Sequence, residues 1–142
     1  MMANKQTEQD IENLIQRVGN ALIGSIDEGG YPNIKAMLPP RKREGIQKIY
    51  FSTNTSSQRV KQFRKNPKAS VYFFDAKTFQ GVMLKGNMQV LETRKYKEML
   101  WQKGDTLYYP LGVTDPDYCV LVFQTEAVRY YADMSSTEWH FK

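Results

Sequence analysis

The chain reads as a mainly β domain with peripheral helices, its strands closing toward a barrel. Three observations predict this class. Nine Tyr and seven Phe stand in 142 residues, and aromatic side chains favour the pleated, half-buried surface of a strand. The apolar segments are short and are bounded by Gly, Pro and Asn. About six such segments outnumber the helical ones, and closure into a barrel removes exposed sheet edges. A hydrophobic content of 41% is enough for one core, and the length fits one domain spanning residues 1–142, since no repeat or linker marks a second.

The elements follow in order. Thr7 to Val18 predicts a helix, because Ile11, Leu14, Ile15 and Val18 recur at helical spacing. Ala21 to Ile26 predicts a strand. Asp27-Glu28-Gly29-Gly30 is a turn that exploits glycine's access to positive φ, and Tyr31 to Leu38 returns. Pro39-Pro40 ends that strand, since proline has no N–H for the ladder. Arg41 to Gly45 reads as a basic loop and Gln47 to Ser52 as the next strand. Ser57 to Arg64 predicts a short helix with Val60 and Phe63 facing inward, stopped by Asn66-Pro67. Ala69 to Phe74 and Gln80 to Leu91 are strands, and Gly81 and Gly86 in the second mark bends or close backbone approach. Glu92 to Trp101 predicts a helix resting on Tyr96, Met99 and Leu100. Tyr118 to Phe123 and Ala127 to Tyr131 form one long bulged strand.

Charge is unevenly spread. The net charge is +5; ten basic residues and one acid lie between Lys35 and Lys68, whereas Val113 to Lys142 holds five acids and two bases. A basic half suits a phosphorylated small molecule, and it also suits nucleic acid; the small-molecule reading leads to the expectation of no nucleic-acid partner. No run approaches the roughly 20 apolar residues of a membrane span, and Met1 to Asp10 is polar, without an apolar signal core. The single cysteine, Cys119, sits in an apolar run and reads as a buried strand residue. A lone cysteine forms no internal disulfide, so a cytoplasmic location is expected.

Several chemistries lack their residues. The one histidine, His140, stands near the end of the chain, so neither a metal site nor a Ser–His–Asp triad assembles from local spacing. Neither a Walker loop nor a dinucleotide glycine fingerprint is present. If the protein is an enzyme, a cofactor carries the difficult step.

The most informative stretch is Ile49 to Val60. An apolar run ends in Ser52, Thr53 and Asn54; a helix then begins with a cation, Arg59, in its first turn. Helix N-termini favour anions, and a cation there opposes the helix dipole unless an anion binds. Arg59 and Lys35 are the candidate phosphate cations, with Ser57 and Thr53 as hydroxyl donors. A phosphorylated flavin suits this set. Each residue also has a plain role: Ser57 as an N-cap, Thr53 as a strand-end side chain, and the two cations as solvated charge.

Two signatures resemble the pyridoxamine 5'-phosphate oxidase-like family of flavin-binding split barrels, nearest its general stress protein branch. The first is Gly30-Tyr31-Pro32-Asn33-Ile34-Lys35-Ala36-Met37, where Lys35 takes an arginine position and Met37 a methionine position. The second is Tyr50-Phe51-Ser52-Thr53 followed by Ser57-Gln58-Arg59-Val60. Asn66 to Phe73 and Val82 to Val90 resemble the helix exit and the long central strand. The resemblance covers a core of about residues 8–131 and implies a six-stranded, Greek-key split barrel of the FMN-binding type. It implies a homodimer with two FMN sites at the subunit interface, and FMN contacts from Lys35, Ala36, Met37, Ser52, Thr53, Asn54, Ser57 and Arg59. Trp101, Tyr108, Tyr109 and Trp139 are candidates to border the ring. Flavin-mediated hydride transfer to or from an undefined small molecule is the activity implied. Alternatives are a flavin-binding or sensing protein without turnover, and a split barrel holding haem or a deazaflavin. Gly81 stands where some relatives carry a glutamine. The substrate segment of true pyridoxamine-phosphate oxidases has no counterpart in Trp139-His140-Phe141-Lys142.

Overall fold

A computed structural model describes residues 5–141; residues 1–4 of the polar N-terminal stretch and residue 142 lie outside that range. The elements are α1 (Lys5–Val18), β1 (Ala21–Ile26), β2 (Pro32–Met37), β3 (Lys42–Glu44), β4 (Lys48–Asn54), α2 (Gln58–Lys65), β5 (Lys68–Asp75), β6 (Gln80–Leu91), α3 (Arg94–Leu100), β7 (Tyr118–Ala132) and β8 (Ser135–His140). Two short 3-10 turns, Asp105–Leu107 and Gly112–Thr114, lie between α3 and β7.

The strands form one antiparallel sheet in the order β2-β1-β5-β6-β7-β4-β3, with β8 added to β7. Among the described residues no pairing joins β2 to β3 or β4. The barrel is therefore open along that seam, a split-barrel arrangement. The sheet has eight strands rather than six. The additions are short or terminal: β3 lies in the segment read as a basic loop, and β8 in the segment read as a tail. Neither carries the apolar alternation that identifies a strand from sequence; each is recruited by a longer neighbour with an unpaired edge.

The inner face of the sheet holds the main core, including Ile23, Ile49, Phe51, Val71, Phe73, Leu84, Leu121 and Phe123. Helix α1 adds Ile11, Leu14 and Ile15, and α2 adds Val60 and Phe63. The opposite face of β4 and β7 carries a second cluster, with Tyr50, Tyr118, Val120 and Val122 under Leu100 of α3. This explains why Tyr118 to Phe123 is buried without alternation. Here α3 departs from expectation: Met99 is exposed, and Lys97 is buried. The Lys97 ammonium donates to the Asp115 carbonyl at 3.0 Å and lies 5.4 Å from the Tyr118 ring centre.

β7 is a single strand whose register against β6 shifts beside Lys85 and Gly86. A Cβ on Gly86 would collide with the Gln124 carbonyl, so the bulge needs a residue without one. At Gly81 the Tyr72 hydroxyl fills the space a side chain would take. The β1–β2 turn places Gly30 at φ 84°, as its sequence requires.

Candidate functional site

The candidate residues lie on two elements toward opposite ends of the sheet order, β2 and the passage from β4 into α2. Antiparallel partners share a face. Lys35 pairs with Ile23 and Met37 with Ala21, so both lie on the inner face of β2; Ala36 pairs with Leu22 on the outer face. Met37 packs against the inner core. Lys35 is exposed and has no carboxylate partner among the described residues. A lysine turned inward on an edge strand also serves to block edge-to-edge pairing.

In β4, Ile49, Phe51 and Thr53 face the inner core, whereas Tyr50 and Ser52 face the second cluster. Ser52 and Thr53 therefore cannot both present side chains to one ligand. Ser52 Oγ is buried on the face of the second cluster, beside the Tyr118 hydroxyl. Thr53 is 4% exposed and pairs across to Cys119. Burial pushes the Cys119 thiol up to about 12, which suits a packing role.

The β4–α2 loop uses most of its own donors. Asn54 Nδ2 donates to Ser56 Oγ at 2.9 Å, and the Ser57 N–H donates to the Asn54 carbonyl at 3.1 Å. Ser57 is the N-cap of α2, its hydroxyl accepting from the Val60 N–H at 3.2 Å. Its hydroxyl oxygen is thus engaged by the helix. Among the described residues the N–H groups of Gln58 and Arg59 have no acceptor. These are two of the orphan donors that open every helix.

Arg59 sits beside them. One guanidinium nitrogen, Nη2, donates to Thr53 Oγ1 at 3.3 Å, and Nε is buried without a partner. Burial alone pushes its pKa below the ordinary arginine value; no carboxylate offsets the charge. No acid stands in the first turn of α2 either. An unpaired, partly desolvated cation next to free N–H groups is unfavourable until an anion arrives. The donor set suits a phosphate in charge and in hydrogen-bond capacity.

Four of the ten cations between Lys35 and Lys68 are answered in space. Arg41, Arg43, Arg64 and Lys65 meet Asp105, Glu12, Glu92 and Glu28 respectively. Sequence reading missed these pairs because each acid lies far away in the chain.

The aromatic candidates divide. Trp139 is 3% exposed in the inner core, with Nε1 lacking a partner. Trp101 and Tyr109 pack on Tyr118 at 5.2 and 4.9 Å between ring centres, in the second cluster. Tyr108 is exposed. His140 lies on the outer face, opposite Ala127. Among the described residues no group of three His, Cys, Asp or Glu could hold a metal ion, and no helix is long and apolar enough to cross a membrane.

Comparison with known proteins agrees with this geometry. Residues 7–132 match the family described as Pyridoxamine 5'-phosphate oxidase. A solved structure from Clostridium acetobutylicum, a protein related to general stress protein 26 of B. subtilis (pyridoxinephosphate oxidase family), is similar at 38% identity and TM-score 0.88. That match covers 98% of this chain and 97% of the other. General Stress Protein 26 from Bacillus anthracis shares the fold at 16% identity and TM-score 0.75, covering 94% and 99%. A heme binding protein from Mycobacterium smegmatis does so at 12% identity and TM-score 0.76, covering 98% of this chain and 60% of its own. No curated protein sequence matches. The matched span takes in both signatures, the whole seam and the sheet that frames it, and the chain belongs to the pyridoxamine 5'-phosphate oxidase family.

Proposed function

We propose that this protein binds FMN at the β2–β4 seam and acts as a flavin-dependent oxidoreductase on a small molecule. The observation that carries the reading is Arg59: a partly buried cation without a carboxylate, flanked by the free N–H groups of Gln58 and Arg59. In this reading Arg59 and the two N–H groups hold the phosphate, and Lys35 supplies a second cation from the inner face of β2. Thr53 orients the guanidinium. Ala36, Met37, Ser52 and Asn54 contribute backbone and packing around the ligand, and Trp139 supports it from the core. FMN, when bound, supplies the redox chemistry; the chain binds, orients and shields.

The protein acts as a homodimer in the same proposal. The outer face of β2, β1, β5 and β6 exposes Leu22, Ile34 and Phe74 at 40%, 76% and 37%. A depression of about 720 Å³ there is lined by residues including Ile34, Tyr72, Met83 and Lys85. Apolar area of this kind on a soluble domain marks an interaction surface, and a twofold axis would duplicate the site.

The test is an absorbance spectrum of freshly purified protein, followed by calorimetric titration with FMN and riboflavin. Flavin bands and a clear preference for FMN are expected. Absence of both would overturn the proposal, and displacement of FMN by haem or a deazaflavin would reassign the ligand. Rapid substrate-dependent reduction of bound FMN separates an oxidoreductase from a sensor. Sedimentation of Ile34→Asp tests the dimer: a monomer is expected, and an unchanged dimer would place the interface elsewhere.

A further inference from the structure

The β4–α2 loop is held from outside. The Thr55 N–H donates to the Asp117 carbonyl at 2.8 Å, and Thr55 Oγ1 donates to the Pro116 carbonyl at 2.6 Å. The Ser56 N–H donates to Asp117 Oδ1 at 2.9 Å. The anchoring turn is itself braced. The Asp117 N–H donates to Asp115 Oδ1 at 3.0 Å, and the Leu111 N–H to Asp115 Oδ2 at 3.2 Å. The Asp115 carbonyl accepts from the buried Lys97 ammonium at 3.0 Å. An unbroken chain of hydrogen bonds thus runs from α3 through Asp115 and Asp117 to Ser56, which precedes the N-cap Ser57.

Electrostatics makes Asp117 conspicuous. A carboxylate beside a site that wants an anion weakens anion binding, and Asp117 is exposed, so burial of a charge does not explain it. Its geometry does: the carboxylate and the backbone carbonyl together take the two N–H groups that precede the cap.

We propose that Asp117 is the positioning residue of the anion site. It fixes Thr55 and Ser56, so that Ser57 caps α2 and only the Gln58 and Arg59 N–H groups remain free, in register with the Arg59 guanidinium. The fixed loop costs the site one repulsive negative charge. The ligand half of this proposal rests on the phosphate reading; the loop half does not.

Two variants separate the roles. Asp117→Asn keeps an acceptor for the Ser56 N–H and removes the charge. Asp117→Ala removes both. Hydrogen exchange of the Ser56 amide in the full chain should be near wild type in Asp117→Asn and about tenfold faster in Asp117→Ala. For FMN, Asp117→Asn should bind about two- to fivefold tighter at low salt, with the gain lost at high salt. Asp117→Ala should bind FMN about tenfold more weakly while riboflavin changes little, since a hydrogen bond to a charged group is at stake. Wild-type Ser56 exchange and wild-type FMN affinity in Asp117→Ala would overturn the proposal. If the wild-type protein binds neither flavin, the phosphate reading fails, and Ser56 exchange still decides whether Asp117 holds the loop. Should Asp117→Ala unfold, Thr55→Val, which removes the hydroxyl's bonds to the Pro116 carbonyl and to Asp117 Oδ1, provides the exchange measurement: unchanged Ser56 protection in it and no FMN gain in Asp117→Asn would equally reject the clamp.

Discussion

Two arginines near β4, Arg41 before β3 and Arg59 in α2, are left by folding in different states. Arg41, just before β3, is gripped by Asp105: Nη1 and Nη2 both meet the carboxylate, Nη2 at 2.8 Å, and Nη1 also donates to the Leu100 carbonyl at 3.0 Å. Asp105 raises the Arg41 pKa, and Arg41 in turn holds the Asp105 carboxyl below the usual carboxylate range. Arg59, in the first turn of α2, has one hydroxyl contact and no carboxylate, and burial lowers its pKa. The same side chain is a finished structural tie in one place and an unfinished charge in the other. The uncompensated, half-buried cation at Arg59 is what the phosphate proposal rests on.

The comparison breaks most easily at Arg41. Asp105→Ala would strand a partly desolvated guanidinium and should lower unfolding free energy by about 2–3 kcal/mol in urea titration. A loss near zero would mean the tie is ornamental. The pH profile carries the same information. Since the Asp105 carboxyl lies lower in the folded state than its unfolded value near 4, its contribution is complete at neutral pH and drains as the pH falls through the folded value. Asp105→Asn should flatten the acid limb of stability.

At Arg59 the expected effect is on binding. Arg59→Ala should weaken FMN by about tenfold or more, the value of a charge-assisted hydrogen bond, with riboflavin changed far less. Equal losses for both ligands would remove Arg59 from the phosphate. Arg59→Met should also stabilise the ligand-free protein by up to about 1 kcal/mol, because an apolar side chain replaces an unpaired cation; destabilisation in thermal unfolding would show that Arg59 is structural after all. The smallest effect belongs to Lys35→Arg. A planar fork replaces a point charge on the inner face of β2, and FMN should tighten by about two- to threefold in calorimetry.

The two regions also differ in how far they could be read from sequence. The candidates of the β4–α2 passage could be named from sequence because they are local. Thr53, Ser57 and Arg59 fall within one strand–loop–helix passage, where alternation, capping and the dipole act over a few residues. The bulge at Gly86 was legible for the same reason: a glycine inside an apolar strand has few explanations. The Arg41–Asp105 tie was not legible, since 64 residues separate its partners. Asp117 has no local pattern to mark it, because its contacts depend on β7 lying beside β4. Met99 was expected among the apolar contacts of α3 and is exposed, whereas Lys97 is buried, because the Asp115 carbonyl arrives from another segment to accept from its ammonium. Ser52 and Thr53 were grouped as neighbours, yet strand geometry sends them to opposite faces with different cores on each.

By itself, the order of apolar runs, turns and caps determined a mainly β domain closing toward a barrel and a strand-to-helix passage capped by Ser57, because periodicity and capping are properties of neighbouring residues; the split barrel came from the family resemblance. Only the tertiary structure decided which cations remain unpaired, which loop donors stay free and which sheet face is bare. Those outcomes depend on acids and helices brought in from distant parts of the chain, and pairing of that kind has no local pattern to announce it.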